Sequence, residues 1–281
     1  MKTRGPEILE NDPFRIRAHV AEFDAIVEEI IASSARTRDS LPMAADVPYG
    51  DGPSETVDIF FPKGSRENLP VHMFIHGGYW RMFSKRDYSY VANTVTTAGA
   101  IAVIVDYALM PSVRMGVLVD QVRRAKRWLV DKIDGYGGDP SRLTVSGHSA
   151  GAHLATFLFN EQEERSGIAA ALLLGGLYDL KPLQRSFLAD EIGITDQEVA
   201  DFSPMLHSFD RDCRVTVAVG SEETPPFHHQ AGDFVMALEM QGQSVTRRSI
   251  DGVNHMSSVR DLGVTESGTG LLLRDIITRA M

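Results

Sequence analysis

The sequence predicts an α/β fold, with a mostly parallel central sheet and helices on both of its faces. Short apolar segments alternate along the chain with segments whose apolar residues recur at helical spacing. One of the short segments, Ile101–Tyr107, begins with five consecutive apolar residues, which is typical of a strand buried on both faces. Alternation combined with two-sided burial indicates a sheet enclosed between two layers of helices.

Seven segments of the chain are predicted to form strands. They are Thr56–Phe61, Val71–Ile75, Ile101–Tyr107, Leu143–Ser146, Ala170–Gly175, Arg214–Val219 and Val245–Ile250. Helical spacing of apolar residues is clearest from Leu118 to Ile133 and from Phe227 to Leu238. No internal repeat, low-complexity run or linker is visible, so we expect one domain over residues 1–281.

A serine flanked by glycines follows the strand predicted at Leu143–Ser146. The sequence Gly-His-Ser-Ala-Gly occupies residues 147–151, and an apolar helical pattern continues after it. This context is typical of a nucleophile elbow, a strained turn that lifts a serine hydroxyl clear of the sheet. Glycines are needed because side chains beside the turn would collide with the neighbouring strand and helix. We therefore expect Ser149 to be a nucleophile, the alternative being an ordinary serine in a glycine-bounded loop.

A glycine-rich loop follows the strand predicted at Val71–Ile75. Residues 76–80 read His-Gly-Gly-Tyr-Trp. Attack of a serine on a carbonyl group creates an oxyanion, which backbone N–H groups held in place can stabilise. Such donors usually come from a loop of this kind and from the residue after the nucleophile. We expect them at Gly77, Gly78, Tyr79 and Ala150; a plain strand-ending turn is the alternative.

The general base is expected at His255, the last of nine histidines. In enzymes with a nucleophile elbow the base follows the nucleophile and the acid along the chain. His255 lies in a turn between the strand predicted at Val245–Ile250 and the last helix. The histidines beside the serine, His148 and His153, are expected to be packed or hydrogen-bonded instead. A solvated loop histidine is the alternative for His255.

The acid of the triad has three candidates. The strand predicted at Arg214–Val219 is followed by Gly-Ser-Glu-Glu, and either glutamate could orient the imidazole of the base. We favour Glu223, with Glu222 as the second candidate. Asp179, which follows an earlier strand, is the third.

These motifs resemble those of the arylformamidases (kynurenine formamidases), a branch of the α/β-hydrolase superfamily close to the hormone-sensitive-lipase-like esterases. The resemblance rests on residues 76–80 and 147–151 and extends to three shorter stretches, 47–50, 58–62 and 137–140. It departs from the esterases at Tyr79, where they usually have a third glycine. It also departs from the arylformamidases at Glu223, where their acid is usually an aspartate.

The resemblance implies an activity and a set of roles. The family's nucleophile corresponds to Ser149, its base to His255, and its oxyanion donors to the loop at 77–79 and to Ala150. We therefore expect a metal-independent serine hydrolase that cleaves a carboxylic ester or an N-formyl or N-acyl aryl-amide bond of a small, aromatic substrate. An arylformamidase acting on N-formylkynurenine, or a non-catalytic binding protein with a hydrolase fold, are the alternatives.

Aromatic residues and two apolar segments are candidates for the substrate pocket. Trp80 and Phe83 lie close to the glycine loop in sequence, and Tyr178 follows a predicted strand. We expect all three to contact the substrate, although Trp80 could equally belong to the core. A small cap is expected from an N-terminal helix within residues 13–35, from residues 178–209, or from both. Packing of these segments on the core alone is the alternative.

Composition limits the remaining functions. The formal net charge of −10 and the lack of a basic cluster argue against nucleic-acid binding. The one cysteine, Cys213, excludes an intramolecular disulfide and fits a reducing cytoplasm. The N-terminal sequence is charged and has no signal-like apolar region, and apolar runs such as residues 169–174 are too short to span a membrane.

We therefore expect a cytoplasmic protein that acts on a small ester or amide, without membrane contact. No cluster of His, Cys and carboxylate residues has the spacing of metal ligands, and the serine mechanism needs no cofactor. The oligomeric state, homodimer included, stays open.

Overall fold

The computed structural model describes residues 11–64, 67–160 and 165–280. Its central feature is a sheet of eight strands, which are β1 Met43–Pro48, β2 Thr56–Phe60, β3 Leu69–Ile75, β4 Ile101–Val105, β5 Gly138–His148, β6 Ile168–Leu174, β7 Arg214–Gly220 and β8 Val245–Ile250. Their order across the sheet is β1-β2-β4-β3-β5-β6-β7-β8. The β1–β2 and β2–β4 pairs are antiparallel and the other five are parallel. The predicted fold class is confirmed.

Helices connect the strands and cover the sheet. They are α1 Ile16–His19, α2 Phe23–Ser40, α3 Ala92–Thr97, α4 Met115–Lys132, α5 Ala150–Thr156, α6 Leu188–Glu191, α7 Asp196–Phe202, α8 Pro225–Met240, α9 His255–Arg260 and α10 Gly268–Thr278. All five residues of β4 are buried. Since successive strand residues point to opposite faces, both faces of the sheet are covered at its centre. Within the described ranges, no helix is long and apolar enough to cross a membrane.

All seven predicted strands are present, with ends shifted by a few residues, and β1 is a further strand that was not predicted. This strand lies at the edge of the sheet, where none of its residues is fully buried. Its pairing with β2 is irregular between Ala44 and Val47, and Asp46 has a positive φ of 54°. An exposed, irregular edge strand has no clean apolar alternation, so its sequence gave no signal.

The N-terminal segment forms two helices where one was expected. Val20 takes an extended conformation at the end of α1, and α2 begins three residues later at Phe23. Apolar residues at helical spacing in this segment nevertheless form a buried face, which includes Ile16, Val20, Phe23 and Ile30. Burial of this face therefore does not require one continuous helix.

The second predicted cap segment, residues 178–209, packs against the first. Arg15 lies over the ring of Phe187 at 4.6 Å, and the backbone N–H of Phe187 donates a hydrogen bond to Asp12. The segment contains α6, α7 and two short 3-10 helices, Lys181–Arg185 and Pro204–Leu206. The two segments thus form one covering layer next to the carboxyl ends of the parallel strands.

Candidate active site

Ser149 lies in a sharp turn between β5 and α5. Its backbone angles, φ 54° and ψ −119°, are rare for a residue with a side chain. A Cβ on Gly147 would lie 2.2 Å from the carbonyl oxygen of Gly151, and one on Gly151 would lie 2.1 Å from that of Ile75. Only glycine fits at either position, so the sequence Gly-x-Ser-x-Gly is required by the close approach of three backbone segments. The turn is held by a 2.9 Å hydrogen bond from the Ser149 N–H to the carbonyl oxygen of Leu174.

The glycine loop after β3 lies beside this turn because β3 and β5 are adjacent parallel strands. A Cβ on Gly77 would lie 3.4 Å from the Cβ of Ser149. The next three residues all have positive φ: 113° at Gly78, 53° at Tyr79 and 60° at Trp80. A positive φ is ordinary for Gly78, but it is strained for Tyr79 and Trp80, which carry side chains. Such strain persists only where the surrounding structure enforces it, and functional sites are typical places.

The backbone donors expected for an oxyanion are available. Within the part of the chain that the structure describes, the N–H groups of Gly78, Tyr79 and Ala150 have no hydrogen-bond acceptor. Ala150 begins α5, so its N–H is also one of the unpaired donors at the positive end of that helix. An anion next to Ser149 would satisfy these groups.

His255 and Glu223 form a buried pair next to Ser149. Nδ1 of His255 lies 2.6 Å from Oε2 of Glu223, and both side chains are buried. The other carboxylate oxygen, Oε1, accepts a 2.9 Å hydrogen bond from the backbone N–H of Gly220. His255 is the first residue of α9, which Asn254 caps through hydrogen bonds from the N–H groups of Met256 and Ser257. These bonds fix both the direction of the carboxylate and the start of the helix that carries the imidazole.

The two other acid candidates lie elsewhere. The side chain of Glu222 is exposed, and its backbone N–H donates to the carbonyl oxygen of Val253. Oδ1 of Asp179 accepts a hydrogen bond from the N–H of Lys181 and so closes a local turn. Of the three candidates, the structure brings only Glu223 to His255.

His148, between Gly147 and Ser149, also contacts the base. Its Nε2 donates a 3.0 Å hydrogen bond to the carbonyl oxygen of His255, and the centroids of the two rings are 4.4 Å apart. Burial and the neighbouring His255 lower the pKa of His148 well below the usual value of a histidine. His153 is likewise hydrogen-bonded, to the carbonyl oxygen of Phe202, as expected from the sequence.

A small cavity joins these groups. Its volume is about 20 Å³. It is lined by Ile16, Phe23, Gly78, Tyr79, Met82, Phe83, Tyr88, His148, Ser149, His255 and Met256. The N-terminal segment therefore closes the cavity through Ile16 and Phe23, whereas residues 178–209 contribute nothing to its wall. Phe83 and the N-terminal segment were expected at the substrate pocket from the sequence. No sequence pattern indicated that Met82, Tyr88 and Met256 would line it.

The structure corrects two of the residues expected to bind substrate. Trp80 is fully buried, and its Nε1–H donates to Nδ1 of His153 at 3.2 Å, so it belongs to the core beside α5. Tyr178 is also buried and stacks on Phe234 of α8 at 4.1 Å. Neither lines the cavity, because packing partners elsewhere take up their rings.

The side chain of Tyr79 links the glycine loop to the cover. Its hydroxyl donates to the carbonyl oxygen of Phe14 at 2.8 Å and accepts from the N–H of Ile16 at 3.0 Å. Its ring meets that of Phe187 edge-on at 5.2 Å. The side chain of Tyr79 therefore holds the N-terminal segment over the cavity.

A larger groove of about 460 Å³ lies nearby without reaching Ser149. Asp179 and residues of α8 line one part of it, and Phe14 lines another. Phe14 packs edge-on against Phe227, which in turn packs against His255. These two rings separate the groove from the base. Among the described residues, no group of three or more His, Cys, Asp or Glu side chains is arranged to hold a metal ion.

Comparison with known proteins agrees with this architecture. The α/β-hydrolase fold family matches residues 72–258. The kynurenine formamidase of Danio rerio is 30% identical over 256 residues, covering 88% of this chain and 84% of that protein. The kynurenine formamidase of Salmo salar is 29% identical over 237 residues, covering 81% and 79%.

A solved structure from Silicibacter sp., described provisionally as a thioesterase, is also similar. It superposes with a TM-score of 0.82 at 25% identity and covers 98% of this chain and all of that one. The family match spans the elbow, the glycine loop and the acid–base pair. The chain therefore belongs to the α/β-hydrolase family, and it is a hydrolase.

Proposed function

We propose that this hydrolase removes small acyl groups from aromatic amines and alcohols through an acyl-enzyme on Ser149, and that N-formyl aryl amines are its preferred substrates. One observation carries the proposal: Ser149, His255 and the glycine loop share a narrow cavity of about 20 Å³. Such a volume holds roughly one or two groups the size of a water molecule. A formyl or acetyl group fits this space, and a long acyl chain does not.

The first half of the reaction forms the acyl-enzyme. His255 takes the hydroxyl proton of Ser149 as the oxygen attacks the carbonyl carbon of the substrate. The carbonyl oxygen becomes an oxyanion and accepts hydrogen bonds from the free N–H groups of Gly78, Tyr79 and Ala150. Glu223, hydrogen-bonded to Nδ1, keeps the imidazole in the tautomer that can accept the proton at Nε2.

The second half releases both products. His255 gives its proton to the leaving nitrogen or oxygen, the bond to the acyl carbon breaks, and the amine or alcohol departs. Water then loses a proton to His255 and attacks the acyl-serine. The carboxylic acid leaves, and the proton returns to Ser149. An amide depends more on this proton transfer than an ester does, because an unprotonated amine is a poor leaving group.

The relatives favour the formamide among the small-acyl substrates. Two proteins that share about 30% of their residues with most of this chain are kynurenine formamidases. A formyl group also places only a hydrogen atom towards the cavity wall, which suits its small volume. A small aryl ester is the second candidate, because an acetyl group fits the same space.

The proposal is tested by the hydrolysis of N-formylkynurenine, p-nitrophenyl acetate and p-nitrophenyl butyrate, with the Ser149→Ala protein as the blank. We expect kcat/KM for the formamide to equal or exceed that for the acetate, and butyrate to be the poorest. Turnover of the acetate with negligible deformylation would make the protein a small-acyl esterase instead. Activity that survives Ser149→Ala, or that is lost with a metal chelator, would overturn the serine mechanism.

We also propose that the protein acts in the cytoplasm on a small molecule. Support comes from the single cysteine, Cys213, which is free and has no second cysteine to pair with, as is usual for proteins of a reducing compartment. Fractionation of cells that express the tagged protein tests the location. Recovery in the membrane or secreted fraction would contradict it.

A further inference from the structure

We propose that His148 is a positioning residue that holds the base, the nucleophile and the glycine loop at a fixed spacing. The inference rests on the roles proposed above for Ser149 and His255. His148 precedes Ser149 in the strained turn, and its Nε2–H donates to the carbonyl oxygen of His255 at 3.0 Å. On the other side, a Cβ on Gly77 would lie 3.0 Å from Nδ1 of His148. One imidazole thus joins the turn of Ser149 to the base and lies close to the glycine loop.

The hydrogen bond defines the tautomer of His148. A carbonyl oxygen only accepts, so Nε2 must carry the proton and Nδ1 must have a free lone pair. Among the described residues, Nδ1 of His148 has no hydrogen-bond partner, although it is buried. A proton there would leave a buried cation with an unpaired N–H, next to the base that becomes a cation during the reaction. His148 therefore stays neutral and in one tautomer while His255 gains and loses its proton.

The hydrogen bond from His148 to the carbonyl oxygen of His255 links the turn of the nucleophile directly to the helix of the base. Glu223 holds the imidazole of His255 at Nδ1, and Ser258 donates to the His255 carbonyl oxygen at 3.0 Å from within the same helix. Neither of these bonds joins α9 to the turn that carries Ser149. His148 supplies that connection, so its loss lets the base move relative to the nucleophile. A displacement of about 1 Å costs on the order of 100-fold in rate.

Two amide variants separate the hydrogen bond from the packing. In His148→Gln the side-chain N–H₂ group reaches the position of Nε2 and can donate to His255. In His148→Asn the amide is one methylene shorter and ends near the position of Nδ1. We expect kcat on p-nitrophenyl acetate to stay within roughly 5-fold of the wild type for Gln and to fall roughly 30- to 100-fold for Asn, with little change in KM.

A second readout does not depend on turnover. The proton on Nδ1 of His255, which is hydrogen-bonded to Glu223, should give an NMR signal at low field because the Nδ1–Oε2 distance is short. We expect its signal to persist in His148→Gln and to broaden in His148→Asn, with similar melting temperatures. If His148→Asn does not fold, His148→Leu, which fills the space without any donor, replaces it.

Equal activity in the two variants, or an equal loss in both, would overturn the positioning role, because the donor would then have no effect of its own. Inactivity of the wild type on every ester and formamide would overturn the proposed function. In that case the low-field signal would still test the contact between His148 and His255.

Discussion

Oε2 of Glu223 lies 2.6 Å from Nδ1 of His255, while Oε1 of the same carboxylate is bound by the N–H of Gly220. The chain turns back at the end of β7, so that the glutamate bonds to the backbone three residues before it. A glutamate is one methylene longer than the aspartate that the sequence resemblance led us to expect at this position. The hydrogen bond from the Gly220 N–H holds Oε1 close to the backbone, which accommodates the longer side chain and directs Oε2 towards His255.

Glu223→Gln should therefore disable the enzyme without unfolding it. An amide in this position cannot stabilise the imidazolium and can favour the wrong tautomer of His255. We expect kcat on p-nitrophenyl acetate to fall by roughly 10²- to 10⁴-fold with a small change in KM. Glu222→Gln is the matched control, because that side chain is exposed, and it should stay within about 2-fold of the wild type. A larger loss for the Glu222 variant would refute the assignment.

Gly175→Ala should lower activity by displacing the acid–base pair. Gly175 has a φ of +53°, and a Cβ there would lie 3.1 Å from both carboxylate oxygens of Glu223 and from Cε1 of His255. We expect kcat to fall at least 10-fold, since roughly 1 Å of movement at the reacting groups is costly. Gly193→Ala provides the control for backbone strain. Its φ is +54°, and the one neighbour within 4 Å is the carbonyl oxygen of Ala189 at 3.6 Å.

Both alanine variants should lose about 1 kcal/mol or more of stability from the positive φ, measured by urea unfolding. Only Gly175→Ala should also lose activity. If Gly193→Ala were impaired as strongly, backbone strain alone would explain both results.

Ile16→Ala should broaden the range of acyl groups. Ile16 lines the cavity beside Ser149, and its truncation removes three carbon atoms from the wall. Because one methylene in an apolar pocket changes specificity by roughly 10-fold or more, the ratio of kcat/KM for p-nitrophenyl butyrate to that for the acetate should rise by about 10-fold. Ile26→Ala removes the same atoms from a buried site in α2 that does not line the cavity. An equal shift in that variant would show that Ile16 does not limit the acyl group.

Stability should fall in acid because buried histidines stay neutral in the folded protein. His72 lies between the hydroxyl groups of Thr144 and Ser146, and burial lowers its pKa to about 3. Below pH 6.5 the unfolded chain binds a proton at this histidine that the folded chain does not bind. The contribution of His72 to the free energy of unfolding is therefore complete above pH 6.5. It is lost as the pH falls towards 3, at up to about 1.4 kcal/mol per pH unit.

Urea unfolding between pH 7.5 and 5 measures this dependence. His153, whose burial lowers its pKa to about 4, adds a contribution of the same sign. In His72→Gln the free energy of unfolding should depend on pH with a shallower slope than in the wild type. The exposed His229 provides the control, and His229→Gln should leave this slope unchanged. A slope that is the same in all three proteins would contradict the prediction.

The sequence by itself determined the fold class and the local geometry around Ser149 and the glycine loop. These features depend on which residues can enter a backbone conformation. Gly147 and Gly151 are required because a Cβ at either position would lie only 2.2 or 2.1 Å from a backbone oxygen, so both glycines can be recognised in the sequence. His255 could also be identified from the sequence, because the base comes last in the chain order and His255 follows the last parallel strand. The edge strand β1 was not predicted because its residues are largely exposed, so they show no alternation of apolar and polar side chains.

Only the tertiary structure decided which side chains meet. Glu222 and Glu223 are neighbours of the same chemistry, and the turn back to Gly220 determines which one faces the base. The ring of Trp80 packs against His153, and the hydroxyl of Tyr79 binds the N-terminal segment. The direction of a side chain and the volume of a cavity depend on contacts between segments distant in sequence. Local sequence patterns reflect backbone conformation and burial, and therefore do not encode those contacts.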